Sequence, residues 1–106
     1  IEMQEEFKVL LLNRANKVIG VYEASAGGLT VTVADPRLIL AAAIKSLSVS
    51  IILSHNHPSG NLKPSRADEE LTQKIKVAAG YHDIRVIDHI IITSEGYYSF
   101  ANEGLL

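Results

Sequence analysis

Two turn signals, one close to each end of the chain, do most to limit the fold. Asn13-Arg14-Ala15-Asn16 separates an apolar run at 6–12 from another at 18–22, and Ser94-Glu95-Gly96 separates the β-branched run at 84–93 from 97–100. Short turns between strand-like runs make antiparallel hairpins, and two hairpins argue against a purely parallel, doubly wound sheet. Between them the pattern changes. Ala26-Gly27-Gly28 breaks the second strand, after which Leu29, Val31 and Val33 alternate with Thr30 and Thr32 as in a half-exposed strand. Asp35-Pro36 starts a helix, with Asp as N-cap and Pro where a missing N–H costs nothing. Leu40, Ile44 and Leu47 recur along it at helical spacing. Residues 49–53 read as a central strand. Ser65 opens a second helix with Asp68, Glu69 and Glu70 in its first turn, a buried stripe of Leu71, Ile75 and Ala78 or Ala79, and Gly80 at its end. Residues 101–106 read as a tail. The order β-β-β-α-β-α-β-β predicts an α/β (α+β) domain, a mixed central sheet flanked by two main helices.

The 106 residues suit a single domain spanning 1–106. No apolar run reaches the ~20 residues a spanning helix needs, and no charged-then-apolar leader opens the sequence, so a soluble, cytoplasmic location is expected. The chain opens at Ile1 in what reads as a strand, and an upstream region is expected to have been removed. The net charge is −2, with ten basic residues spread among twelve acids. That balance does not support direct nucleic-acid binding, which usually goes with a basic excess or a clustered basic face. Without cysteine, any transition metal must be held by His and carboxylates. An exposed strand edge near 29–33 leaves a homodimer as a fold-level expectation.

The chemistry is concentrated in His55-Asn56-His57-Pro58-Ser59-Gly60, followed by Pro64-Ser65-Arg66-Ala67-Asp68. In extended chain, residues i and i+2 point to the same side, so both imidazoles leave the strand end toward one point. A loop shaped by Pro58, Gly60 and Pro64 can return the next helix to that point, with Asp68 in its first turn. Two imidazoles and one carboxylate, with no fourth candidate nearby, match a catalytic zinc site with water as the fourth ligand. A proton carrier is also required. Glu69 and Glu70 sit at other angles around their helix; Glu5 or Glu6 are better placed if the first strand lies beside 49–53. The Ser65 hydroxyl could donate to an oxyanion, although Ser65-x-x-Asp68 is also the pattern of a helix capping box.

These residues resemble the JAMM motif in the form carried by the bacterial RadC family of the JAB/MPN superfamily: an upstream Glu, then His-x-His, then Ser and Asp separated by two residues. Asp35-Pro36-Arg37, Val86-Ile87-Asp88-His89 and Ser99-Phe100-Ala101 extend the likeness over nearly the whole chain. The resemblance implies a JAB/MPN-like fold, zinc on His55, His57 and Asp68, oxyanion support from Ser65, and an upstream Glu as general base and acid. Glu5 fits the Glu-x-Phe pattern of RadC-like sequences, whereas distance to the strand end in the wider superfamily points to Glu6; Glu5 is preferred. The resemblance also implies hydrolysis of a peptide or isopeptide bond, hence a protein or peptide substrate. The helix-hairpin-helix region that usually precedes this domain in RadC proteins is not in the sequence, which weakens an inherited DNA role.

Three other readings stay open. Two His and a carboxylate also form the facial triad of Fe(II) oxygenases. The motif could be kept for stability in a DNA-repair or protein-interaction module. The same zinc chemistry could serve phosphodiester hydrolysis, though a single ion lacks the two-metal clamp of many nucleases. Asp88 and His89 are polar residues inside an apolar strand and must find partners. On alternation, Asp88 shares a face with Val86 and Ile90, and His89 with Ile87 and Ile91. Orienting a metal-bound His, or a structural bond to loop backbone, are equally compatible with that placement.

Overall fold

A computed structural model describes residues 5–25 and 34–106. Its elements are β1 (Phe7–Leu12), β2 (Val18–Ser25), α1 (Pro36–Lys45), β3 (Ser50–Asn56), α2 (Arg66–Gly80), β4 (Arg85–Thr93) and β5 (Gly96–Ser99). The strands form one sheet in the order β2-β1-β3-β4-β5. All neighbours are antiparallel except β3 and β4, which run parallel and are joined by α2. This is the mixed, two-helix α+β architecture expected of the chain, with both predicted hairpins in place. The strand expected at 29–33, and the dimer edge with it, lie outside the described residues.

Both helices cover the same face of the sheet. Phe7, Val9 and Leu11 of β1, Ile51 and Leu53 of β3, Ile39 and Ala43 of α1, and Ile75 and Ala79 of α2 form one buried cluster. Each fully buried Ile, Leu or Val there contributes roughly 1.5–3 kcal/mol. The helix starts follow their sequence signals. The Asp35 carboxylate accepts the Arg37 N–H at 2.9 Å with Pro36 at the first helical position. Ser65 and Asp68 cap α2 reciprocally, Asp68 N–H to Ser65 Oγ at 3.0 Å and Ser65 N–H to Asp68 Oδ2 at 2.8 Å.

Three local expectations shift. α1 buries Ile39 and Ala43, with Leu40 partly covered, while Ile44 is half exposed and Leu47 is 83% exposed, just past the helix end. The small Ala43 side chain lets the helix lie close on the sheet, and the segment is apolar around most of its circumference. α2 does end at Gly80, but without a left-handed glycine; the positive φ of 57° falls on Asp83 in the following turn. In β4 the register against β3 shifts between the Ile51 and Ile52 pairings, so Ile51 faces Val86 and Ile52 faces Asp88. This bulge puts Val86, His89 and Ile91 all on the buried side, where strict alternation separates Val86 from His89.

Candidate metal centre

The alternation that buries Ile51 and Leu53 in β3 continues to His55, which is 3% exposed at the strand's end. His57 follows two residues later, and its Nε2 lies 2.9 Å from the Nε2 of His55. Pro58, Ser59 and Gly60 turn the chain, and Ser65 starts α2 so that its first turn faces the imidazoles. Asp68 Oδ1 lies 3.4 Å from His55 Nε2, and Oδ2 lies 3.3 Å from His57 Nε2. Tetrahedral ligands at about 2.0–2.1 Å from an ion are separated by about 3.3 Å; each imidazole has one carboxylate oxygen near that distance, and one atom from each of the three residues lies within 4.8 Å of the others. They are the group of His and acidic side chains among the described residues that could hold a metal ion.

Each donor is prepared for that role. His57 Nδ1 is 2.7 Å from the Asn61 carbonyl oxygen. A carbonyl only accepts, so Nδ1 carries the proton and Nε2 presents its lone pair to the site. Partial burial works against ionisation of Asp68, but the facing His55 imidazole and hydrogen bonding with Ser65 outweigh it and hold the carboxyl well below its usual range in the metal-free protein. The set therefore carries one negative charge on borderline nitrogen and hard oxygen donors, suited to a divalent cation.

Glu5 lines the same cleft, of about 480 Å³, with His57, Ser65 and Asp68. The reason is register. β1 pairs Phe7 with His55, and continuing that register sets Glu5 opposite His57. Glu6 belongs to the other side. It pairs with Lys8 at 3.8 Å and lines another recess with Ser54, His55 and Asn56, away from His57 and Asp68. Asn56, between the two histidines, fixes the approach of β1: its Oδ1 accepts the Glu6 N–H at 2.6 Å and its own N–H donates to the Glu6 carbonyl at 3.3 Å.

Behind the donors lies a buried layer that the sequence reading only partly reached. His55 Nδ1 is 2.7 Å from His89 Nε2, and His89 Nδ1 is 2.5 Å from Thr72 Oγ1. Thr72, one helical turn after Asp68, donates to the Asp68 carbonyl at 2.7 Å. Phe7 stacks on His55 and Phe100 stacks on His89 at 4.5 Å between ring centroids. Burial, with the facing His55, pushes His89 down to about 3, against smaller opposing effects of Asp68 and Asp88. His89 is therefore neutral at physiological pH. Asp88 turns outward, accepting from the Ser99 hydroxyl and the Ala101 N–H at 2.5 and 3.0 Å. It thereby ties down the turn that carries Phe100. Of the two roles open for the Asp88-His89 pair, Asp88 takes the loop-backbone role and His89 contacts a candidate ligand. The sequence signal for His89 was a polar residue in an apolar strand. Thr72 gave none beyond its i+4 spacing from Asp68.

The sequence profile of the RadC-like JAB domain matches residues 1–105. The chain belongs to this family. Among curated relatives it is 50% identical over 104 residues to a UPF0758 protein of Porphyromonas gingivalis, covering 97% of this chain and 46% of that protein. It is 48% identical over 101 residues to one of Flavobacterium johnsoniae, covering 95% and 44%, and 43% identical over 102 residues to one of Variovorax paradoxus, covering 96% and 45%. The JAB domain described here thus spans less than half the length of these relatives. No described helix is long and apolar enough to cross a membrane.

Proposed function

We propose that this JAB domain is a zinc-dependent hydrolase acting on a peptide or isopeptide bond. The observation that carries the reading is the convergence of His55, His57 and Asp68, 2.9–3.4 Å apart at their nearest atoms, with His57 and Asp68 lining a cleft that Glu5 and Ser65 also line. When bound, zinc supplies Lewis acidity and a water acidic enough to react near neutral pH. The residues of the chain do the rest. His55, His57 and Asp68 would hold the ion. Glu5 takes a proton from the attacking water and returns it to the leaving nitrogen. The Ser65 oxygen accepts the Asp68 N–H, which leaves its hydroxyl proton to donate to the oxyanion of the tetrahedral intermediate.

The test is hydrolysis of a panel of peptides and isopeptide-linked conjugates by zinc-loaded protein, wild type beside Glu5→Gln. The reading expects turnover that falls by 10²–10⁴-fold, roughly the contribution of a general base, at unchanged zinc content. Turnover that Glu5→Gln leaves intact, or zinc-loaded protein inert across the panel, would count against it. Cleavage of a phosphodiester instead would favour the alternative hydrolytic reading, and metal analysis showing iron would favour the oxygenase-type triad.

A further inference from the structure

We propose that His89 is the positioning residue that decides which nitrogen of His55 faces the metal: by accepting the His55 Nδ1 proton at its own Nε2, it leaves the His55 Nε2 lone pair for the ion. The inference rests on the metal-centre reading and deepens it.

His55, His89 and Thr72 are 3%, 0% and 1% exposed, so His55 Nδ1, both His89 nitrogens and the Thr72 hydroxyl must be satisfied by one another and by the Asp68 carbonyl. Thr72 has one hydroxyl proton, and its oxygen lies 2.7 Å from the Asp68 carbonyl, which can only accept. The proton goes there. The Thr72 oxygen then accepts from His89 Nδ1, so a neutral His89 has its lone pair on Nε2. That lone pair lies 2.7 Å from His55 Nδ1, which must therefore carry hydrogen. His55 Nε2 is then left as a lone pair facing two groups that also only accept, His57 Nε2 at 2.9 Å and Asp68 Oδ1 at 3.4 Å, so this arrangement would be complete only with a cation bound.

The opposite arrangement moves every proton. His55 Nε2–H would donate to His57, His89 Nε2–H to His55 Nδ1, and the Thr72 hydroxyl to His89 Nδ1, turned from the Asp68 carbonyl. It offers the ion no lone pair from His55, so metal binding selects the first arrangement. The aromatic packing holds both rings in the plane this requires: Phe7 lies over His55 with an interplanar angle of 10°, and Phe100 over His89 with 14°. His57 reaches the same tautomer through a backbone carbonyl; His55, pointing inward from the end of β3, has a second histidine in that place. A histidine kept only for packing would need no such polarity along the chain.

The test reads proton positions and metal affinity without any assay of activity. Long-range ¹H–¹⁵N correlation spectra of zinc-loaded wild-type protein should show His55 and His89 both protonated on Nδ1 alone. Competition with a chromophoric chelator should show zinc binding weakened by 10–100-fold in His89→Leu, the usual cost of losing such an outer partner. His89→Gln, whose Oε1 can accept the same proton, should recover most of that loss. A His89 protonated on Nε2, or zinc affinity unchanged in His89→Leu, would overturn the proposal, and the wild-type spectra decide it even if that variant fails to fold. Failure of the metal-centre reading looks different: wild-type protein would bind no zinc, and the inference would fall with it.

Discussion

Thr72→Val is the most informative single change to the buried layer. It removes a hydroxyl that both accepts from His89 Nδ1 and donates to the Asp68 carbonyl, at a residue 1% exposed. The imidazole N–H left without a partner costs roughly 1–3 kcal/mol. The methyl that replaces the hydroxyl returns up to about 0.8 kcal/mol. A net loss of about 1–2 kcal/mol is expected, which lowers Tm by about 4–8 °C per kcal/mol in a domain of this size. A bare loss of that size could also arise from altered packing, so the assay is a double-mutant cycle. Urea unfolding of metal-free wild type, Thr72→Val, His89→Leu and the double variant isolates the coupling between the two side chains. The structure predicts a coupling of about 1–2 kcal/mol. Additive effects, with coupling below about 0.3–0.5 kcal/mol, would refute the hydrogen-bond chain from α2 to β4.

Further predictions concern the same region. His89 has a folded-state pKa lowered from 6.5 to about 3, so between those values the unfolded chain binds a proton that the folded one refuses. Its stabilising contribution is full above pH 6.5 and declines as pH falls. Between pH 6.5 and 5 the metal-free wild type should therefore lose about 2 kcal/mol relative to His89→Gln; a difference independent of pH would contradict the buried neutral ring. Ser65→Ala should destabilise the domain by about 1 kcal/mol through loss of the α2 cap, with Ser65→Asp retaining it, as measured by thermal melts followed by circular dichroism. Equal melting of all three proteins would argue against the cap. Gly60 has φ of +86° with open space around it, so Gly60→Ala should cost about 1–2 kcal/mol from the left-handed backbone alone. By disturbing the turn in which the Gly60 N–H donates to the His57 carbonyl, it should weaken zinc binding as well.

What could be read from the sequence follows a physical division. Asp35-Pro36 and Ser65-x-x-Asp68 are local signals, because the groups they satisfy lie within four residues, and both helices begin where those signals stand. His55, His57 and Asp68 were legible because strand alternation and one loop suffice to bring them together. The packed face of α1 was not. With Leu38, Ile39, Leu40, Ala43 and Ile44 apolar around most of the helix, periodicity selects no unique stripe, and the sheet chose Ile39 and Ala43. The facing of Val86 depends on a bulge with no residue type to announce it. His89 was visible as an anomaly, yet its partners come from β3 and α2 and depend on register across the sheet.

Zinc titration of the metal-free domain, wild type beside His57→Ala, tests the three-ligand site most directly. His57 is only partly buried, so the variant should fold, which circular dichroism can verify. The account predicts one equivalent of zinc bound by wild type, and no comparable binding once one of the three donors is gone. Wild-type protein that takes up no zinc, or a folded His57→Ala variant that binds one equivalent with undiminished affinity, would contradict it.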